Sequence, residues 1–141
     1  MNGRVLGVDY GSHRLGLAVS DETAMLATPL ETVEIAGMDD AVRAVDKRAR
    51  EFAVRRIVVG LPLNMNVSRG PSAEAAALLA ERIREQTGFP VIEWDERLTT
   101  RMAEKALISS GVRRRRRRQV IDQAAAQLIL QSYLDSQDPF P

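Results

Sequence analysis

Residues 4–9 (RVLGVD) are apolar almost without interruption, which predicts a central strand covered on both faces. Tyr10-Gly11-Ser12-His13 carries turn chemistry, and 15–20 (LGLAVS) then reads as a second strand, making a hairpin. Residues 30–35 (LETVEI) alternate with period two, the pattern of a third strand with one wet face, and Gly37 ends it. Val42, Val45 and Ala49 have helical spacing, so a helix capped by Asp39 or Asp40 is expected to run to about Phe52. The apolar run 56–60 (RIVVG) predicts a buried strand, followed by a polar loop over 61–70. Pro71 fits a first helical turn and Gly88 a stop, giving a helix to about Thr87. Residues 91–94 form a fifth strand. Thr99 or Thr100 suits the cap of a further helix with Gly111 just past its end. Residues 113–118 read as a basic connection, and a last helix is expected over about 120–136, before Pro139 and Pro141.

Three strands in hairpin order followed by helix–strand–helix–strand imply an α/β fold. The first three strands should be antiparallel neighbours, and the fourth and fifth should return parallel through right-handed crossovers. The expected result is a five-stranded mixed sheet with helices on both faces. A length of 141 residues fits one domain, taken as 1–138 with a short tail at 139–141. No apolar run approaches the roughly 18 residues a membrane span needs. The chain enters its first strand pattern without a signal peptide, so a cytoplasmic protein is expected.

Composition narrows the chemistry. There is no cysteine and one histidine, His13, which excludes disulfides and thiolate metal sites and disfavours a histidine-bound zinc. Any metal must be held by oxygen, which favours magnesium or manganese. Aromatic residues are 4% of the chain, too few for a binder built on stacked bases. Charge is unevenly spread. Nine basic residues and one acid, Glu104, lie within 97–118; that segment is +8, and the rest of a chain of net charge +1 carries −7. A concentrated basic segment on an acidic body points to a polyanionic partner.

Acids also stand where acids are usually avoided. Asp9 closes an apolar run; it is either a turn aspartate or a carboxylate set against the sheet interior. Asp95 and Glu96 follow the fifth strand, the place where α/β sheets form sites, and alternation lets only one of them face such a site. Asp122 shares a helical stripe with Ala125, Ala126, Ile129 and Tyr133, while Gln119, Gln123, Gln127 and Gln131 form a separate polar stripe. An acid on that packed face either favours the helix N-terminus or belongs to a cluster. Buried carboxylates raise one another's pKa, and a divalent cation between them relieves the repulsion. Two such ions can activate water against a phosphodiester.

At these residues the chain resembles the YqgF (RuvX) family of bacterial Holliday-junction-resolvase-like proteins, also described as pre-16S rRNA nucleases. The likeness is carried by Val8-Asp9-Tyr10-Gly11 with residues 14–21, by Val59-Gly60-Leu61-Pro62-Leu63-Asn64-Met65, by Trp94-Asp95-Glu96-Arg97-Leu98-Thr99-Thr100, and by Ile121-Asp122-Gln123-Ala124-Ala125 with Ile129-Leu130-Gln131. The resemblance implies a ribonuclease-H-like fold and an acidic triad at Asp9, Glu96 and Asp122. It also implies dependence on Mg2+ or Mn2+ and a role in maturing the 5′ end of 16S rRNA. Asp9 would bridge two ions, with Glu96 and Asp122 completing one each. The family's usual Asp-Gly after Asn-Met is replaced here by Asn66-Val67, which puts the geometry of that loop in question.

Arg113, Arg114, Arg115, Arg116, Arg117 and Arg118 precede the helix bearing Asp122. They read either as a solvated run or as phosphate contacts that orient a nucleic-acid backbone without reading sequence. Asn64 and Ser68 are candidate phosphate or sugar donors. Arg97 is positioned to steady a carboxylate or touch a phosphate. The expected substrate is a structured RNA such as pre-16S rRNA. A resolvase of branched DNA is the alternative, and it would need a homodimer. A non-catalytic RNA-binding assembly factor is a third reading. An ATP-dependent kinase or actin-like protein, also with Asp-x-Gly after a first strand, is a fourth, but that architecture needs two related domains.

Overall fold

The computed structural model describes residues 3–64, 66–97 and 114–137, and only the backbone of 114–124. In chain order these form β1 (Val5–Tyr10), β2 (Arg14–Ser20), β3 (Ala27–Glu34), α1 (Met38–Glu51), β4 (Arg56–Leu61), α2 (Pro71–Thr87), β5 (Val91–Asp95) and α3 (Arg114–Ser136). The strands make one sheet in the order β3-β2-β1-β4-β5. β1 pairs antiparallel with β2, and β2 with β3. β4 runs parallel to β1 and β5 parallel to β4. This is the mixed sheet that the strand pattern predicts.

Alternation along β1 and β4 divides the molecule. Leu6, Val8, Ile57 and Val59 face α1 and α2, where Val45, Leu79 and Ile83 complete a core buried from water. Val5 and Val58 face α3 and pack with Ala18, Ala126, Ile129 and Leu130. On this second face α3 lies close to the sheet. A Cβ on Gly7 would stand 2.7 Å from Leu130 Cβ and 3.0 Å from the Ala126 carbonyl oxygen, so a hydrogen in place of a side chain sets the approach.

The structure departs from the sequence pattern in three places. β3 starts at Ala27 rather than at 30, because Pro29 is tolerated on a strand at the edge of the sheet. Gly37, not Asp39 or Asp40, is the N-cap of α1; the Asp40 carboxylate instead accepts the Ala36 N–H at 2.8 Å from inside the first turn. α3 begins by Arg114, so Arg114–Arg118 lie in a helix and not in a connection. Arginine is a good helix former, and no Gly or Pro interrupts 113–136. Arg113 and the helix expected from Thr99 or Thr100 lie outside the described residues. α2 begins with Pro71 and ends at Gly88, which takes φ +80°, as its turn signals require. Among the described residues, no helix is long and apolar enough to cross a membrane.

Candidate active site

β1, β4 and β5 run parallel, so their carboxyl ends meet at one rim of the sheet. Asp9 is the next-to-last residue of β1 and is half-buried. It follows Val5 and Gly7 on the α3 face by the two-residue period of a strand. Its register partner on β2 is Gly16, and a Cβ there would meet Asp9 Cβ and Ala126 Cβ at 3.6 Å each. Strand and helix therefore converge on the aspartate through small residues.

Glu96 is one residue past β5, and its N–H still bonds Leu61 O at 3.1 Å, extending the β4–β5 ladder. The side chain turns to the same face as Asp9 and lies over Gly60. A Cβ on Gly60 would come within 2.8 Å of Glu96 Oε2, 2.9 Å of its Cδ and 2.5 Å of Ile129 Cδ1. Burial pushes the Glu96 carboxyl up from 4.5 to about 7, helped by repulsion from Asp9 and then Asp95. The acid is placed where its charge is costly and where another acid makes it costlier.

Asp95 has a different fate. Arg97 Nε bonds its oxygens at 3.1 and 3.0 Å, Nη2 bonds Oδ2 at 2.7 Å, and the Arg97 N–H bonds Oδ1 at 3.0 Å. The Arg97 hydrogen bonds hold Asp95 below the usual carboxylate range. Of the two roles open to Arg97 from sequence, the structure shows it steadying a carboxylate. Of the adjacent acids, Glu96 lies over Gly60 on the α3 face, and strand alternation directs Asp95 to the opposite face.

The side chain of Asp122 lies outside the described residues, but its backbone is part of α3. Leu130 stands over Gly7, and Ala126 stands over both Gly7 and Gly16, the partner of Asp9. From Leu130 to Ala126 the helix thus advances toward the carboxyl end of β1. Residue 122 is one turn farther, about 6 Å along the axis. Among the described residues, no three potential ligands gather into a metal-binding group; Asp9 and Glu96 are an adjacent pair.

The other sequence candidates are less direct. In the loop after β4, Asn64 Nδ2 donates to Ser68 Oγ at 3.0 Å. Ser68 donates to Asn66 Oδ1 through Oγ at 2.6 Å and through its N–H at 3.1 Å. The polar groups expected to bind phosphate or sugar close the loop on itself, at the surface. Val67 takes φ +70°, the left-handed conformation that favours glycine, at the position where the resembled family carries one. Arg114–Arg118 are placed in the helix that continues toward the rim, and nothing is described of their side chains. His13 lies exposed in the β1–β2 turn, where its carbonyl accepts the Ile35 N–H at 3.0 Å.

Sequence reasoning missed several supporting residues. Gly60 had a signal, since an isolated glycine in a strand run marks close approach. Trp94, whose Nε1 donates to Ser132 Oγ at 3.1 Å and whose ring packs edge-on to Tyr133, had none. Gln127 and Gln131, assigned to a polar stripe, reach the backbone of Met25 and Ala27.

Residues 3–136 match the sequence model of the RuvX family, described as Holliday junction resolvase. A protein of Caldanaerobacter subterraneus subsp. tengcongensis named "Putative pre-16S rRNA nuclease" is 44% identical over 135 residues, 95% of this chain and 97% of its own length. A Geobacillus kaustophilus protein of the same name is 48% identical over 135 residues, covering 94% and 98%. Among solved structures, T. thermophilus RuvC in complex with a Holliday junction substrate superposes with a TM-score of 0.58 at 18% identity, over 96% of this chain and 95% of that one. The fowlpox virus Holliday junction resolvase gives 0.51 at 12% identity, over 94% and 98%. At these identities the structural likeness establishes the fold, which is that of the RuvC-type resolvases.

Proposed function

The chain belongs to the RuvX family, and from that premise we propose that it is a divalent-metal-dependent endonuclease with its site at Asp9, Glu96 and Asp122, acting on a structured RNA, the precursor of 16S rRNA. The observation that carries this reading is the Glu96 carboxylate, seated over Gly60 beside Asp9 and pushed up to about 7 by burial and that neighbour.

Such a pair is a poor arrangement for stability and a good one for a cation. The donors are carboxylate oxygens, which suit magnesium or manganese, and the chain offers no thiolate and only one imidazole, His13. Asp9 and Glu96 would hold the ions from the sheet, with Asp122 closing the site from α3. When bound, divalent ions supply Lewis acidity to a phosphoryl oxygen and lower the pKa of water. Glu96 must give up its proton to serve as a ligand. Arg113 and Arg114–Arg118 would hold the substrate backbone, an interaction that should weaken steeply with salt. RNA is preferred over branched DNA because the relatives at 44% and 48% identity carry a nuclease name specific to pre-16S rRNA.

The test sets a labelled RNA spanning the 5′ end of the 16S precursor beside a four-way DNA junction, with manganese. Cleavage of the RNA in preference to the junction is expected. Asp9→Asn should lose about a hundredfold or more, at or above the 10–100-fold typical of residues that merely support a metal ligand. No cleavage, or undiminished cleavage by Asp9→Asn, would sink the reading. Preferred cutting of the junction would transfer it to branched DNA.

A further inference from the structure

We propose that Gln127 and Gln131 are positioning residues: they set the axial register of α3 on the sheet, and with it the place of Asp122 relative to Asp9 and Glu96. The proposal rests on the reading that these acids hold divalent ions.

Gln131 Oε1 accepts the Ala27 N–H at 2.8 Å, and its Nε2 donates to Met25 O at 3.0 Å. Gln127 Nε2 donates to Ala27 O at 3.1 Å. Ala27 is the first residue of β3, the edge strand, and it is buried. Two side chains from one helix thus occupy both the backbone donor and the backbone acceptor of Ala27, on a strand with no neighbour on its outer side among the described residues. The same glutamine nitrogen of residue 131 also donates to Asp135 Oδ1 at 2.9 Å, which fixes the orientation of its amide.

Much of the rest of the α3 interface is apolar and opposes sliding only weakly. Ala126, Ile129 and Leu130 meet β1 and β4 through apolar contact, which is not directional, over glycines 7, 16 and 60. A slip of one residue moves a helix about 1.5 Å and turns it by about 100°. Hydrogen bonds forbid such a slip because donors and acceptors must stay paired. On the opposite flank, Ser132 and Tyr133 bond Trp94 and Arg56, but these anchors are farther from residue 122. Gln127 is five residues from Asp122, about 7.5 Å along the axis, and is the nearest described directional contact.

Manganese binding to the metal-free protein, followed by electron paramagnetic resonance, tests the proposal. The proteins compared are wild type, Gln127→Met/Gln131→Met, Asp122→Asn and the combination. Methionine keeps chain length and helix propensity but removes all three bonds to Met25 and Ala27. The glutamine pair should weaken manganese about tenfold, within the 10–100-fold range for supporting residues. In the Asp122→Asn background the same pair should cost nothing more, because the glutamines act through that acid. Unchanged affinity, or an equal loss in both backgrounds, overturns the proposal. If the pair does not fold, Gln127→Met alone removes one bond and should show the same coupling at about threefold. Coupling without RNA cleavage would uphold the register claim while sinking the nuclease reading.

Discussion

The two faces of the sheet are built on opposite principles. Toward α1 and α2, large aliphatic side chains such as Leu6, Ile57, Leu79 and Ile83 interdigitate and are wholly buried. Toward α3, the contact surface includes Gly7, Gly16 and Gly60, the helix supplies Ala126, and directional bonds from Gln127, Gln131 and Ser132 pin the ends. The first face buries apolar volume. The second gives some of that volume up so that a helix can come near a rim where Asp9 and Glu96 already repel one another. The larger apolar core lies on one side of β1, and the proposed site lies on the other.

Breaking the first face should therefore cost the most stability and the least chemistry. Leu79→Ala empties a fully buried site on α2 and should destabilise by about 3 kcal/mol, within the range for such truncations. Urea denaturation measures the loss. Manganese affinity of the folded fraction should not change, and a large drop would show that the faces are not separable.

The second face should show its cost through pH. Glu96 is protonated more readily in the fold than in the unfolded chain, with about 7 against 4.5. Below 4.5 both states hold the proton and the group is neutral to stability. Between 4.5 and 7 the unfolded chain releases the proton while the fold retains it, so stability falls with rising pH, by about 3 kcal/mol in total. Above 7 the penalty is constant. Asp21, whose carboxyl is held low by the Thr23 hydroxyl and the Leu26 and Met25 N–H groups, acts in the opposite sense at lower pH and is common to both proteins compared. Metal-free Glu96→Gln should lack the fall between pH 4.5 and about 7, and its stability should no longer rise with added manganese. Parallel pH profiles for wild type and Glu96→Gln would contradict this account.

The first face was largely legible in the sequence and the second only in part. Apolar runs at 4–9 and 56–60 and the stop signals Pro71 and Gly88 are local, and they place β1, β4 and α2 within a residue or so. Asp9 and Glu96 were visible as acids ending apolar segments, because a charge in such a place demands a reason. The start of α3 was not, since a run of arginines reads as a solvated connection although it is compatible with helix. Nor was the use of Gln127 and Gln131, whose partners at Met25 and Ala27 are about a hundred residues away in the chain. Polarity alone cannot separate a wet stripe from a row of directed hydrogen bonds.

Gly60 provides the sharpest separation and the smallest expected change in stability. A methyl group there overlaps Ile129 Cδ1 at 2.5 Å and Glu96 Oε2 at 2.8 Å, and both are the far ends of flexible side chains. They can swing aside, so Gly60→Ala should cost about 1 kcal/mol, the low end for overpacking. Gly7→Ala differs because it meets Leu130 Cβ and the Ala126 carbonyl, which move only with the helix. The relief available at Gly60 is itself the functional injury, because the Glu96 carboxylate must leave its seat. A displacement near 1 Å at a catalytic group can cost on the order of a hundredfold in rate. Gly60→Ala should thus retain most of its stability, lose most of its cleavage, and bind manganese more weakly. Normal cleavage by a folded Gly60→Ala protein would mean that the carboxylate's position over the glycine is incidental, and the division between the two faces would lose its functional meaning.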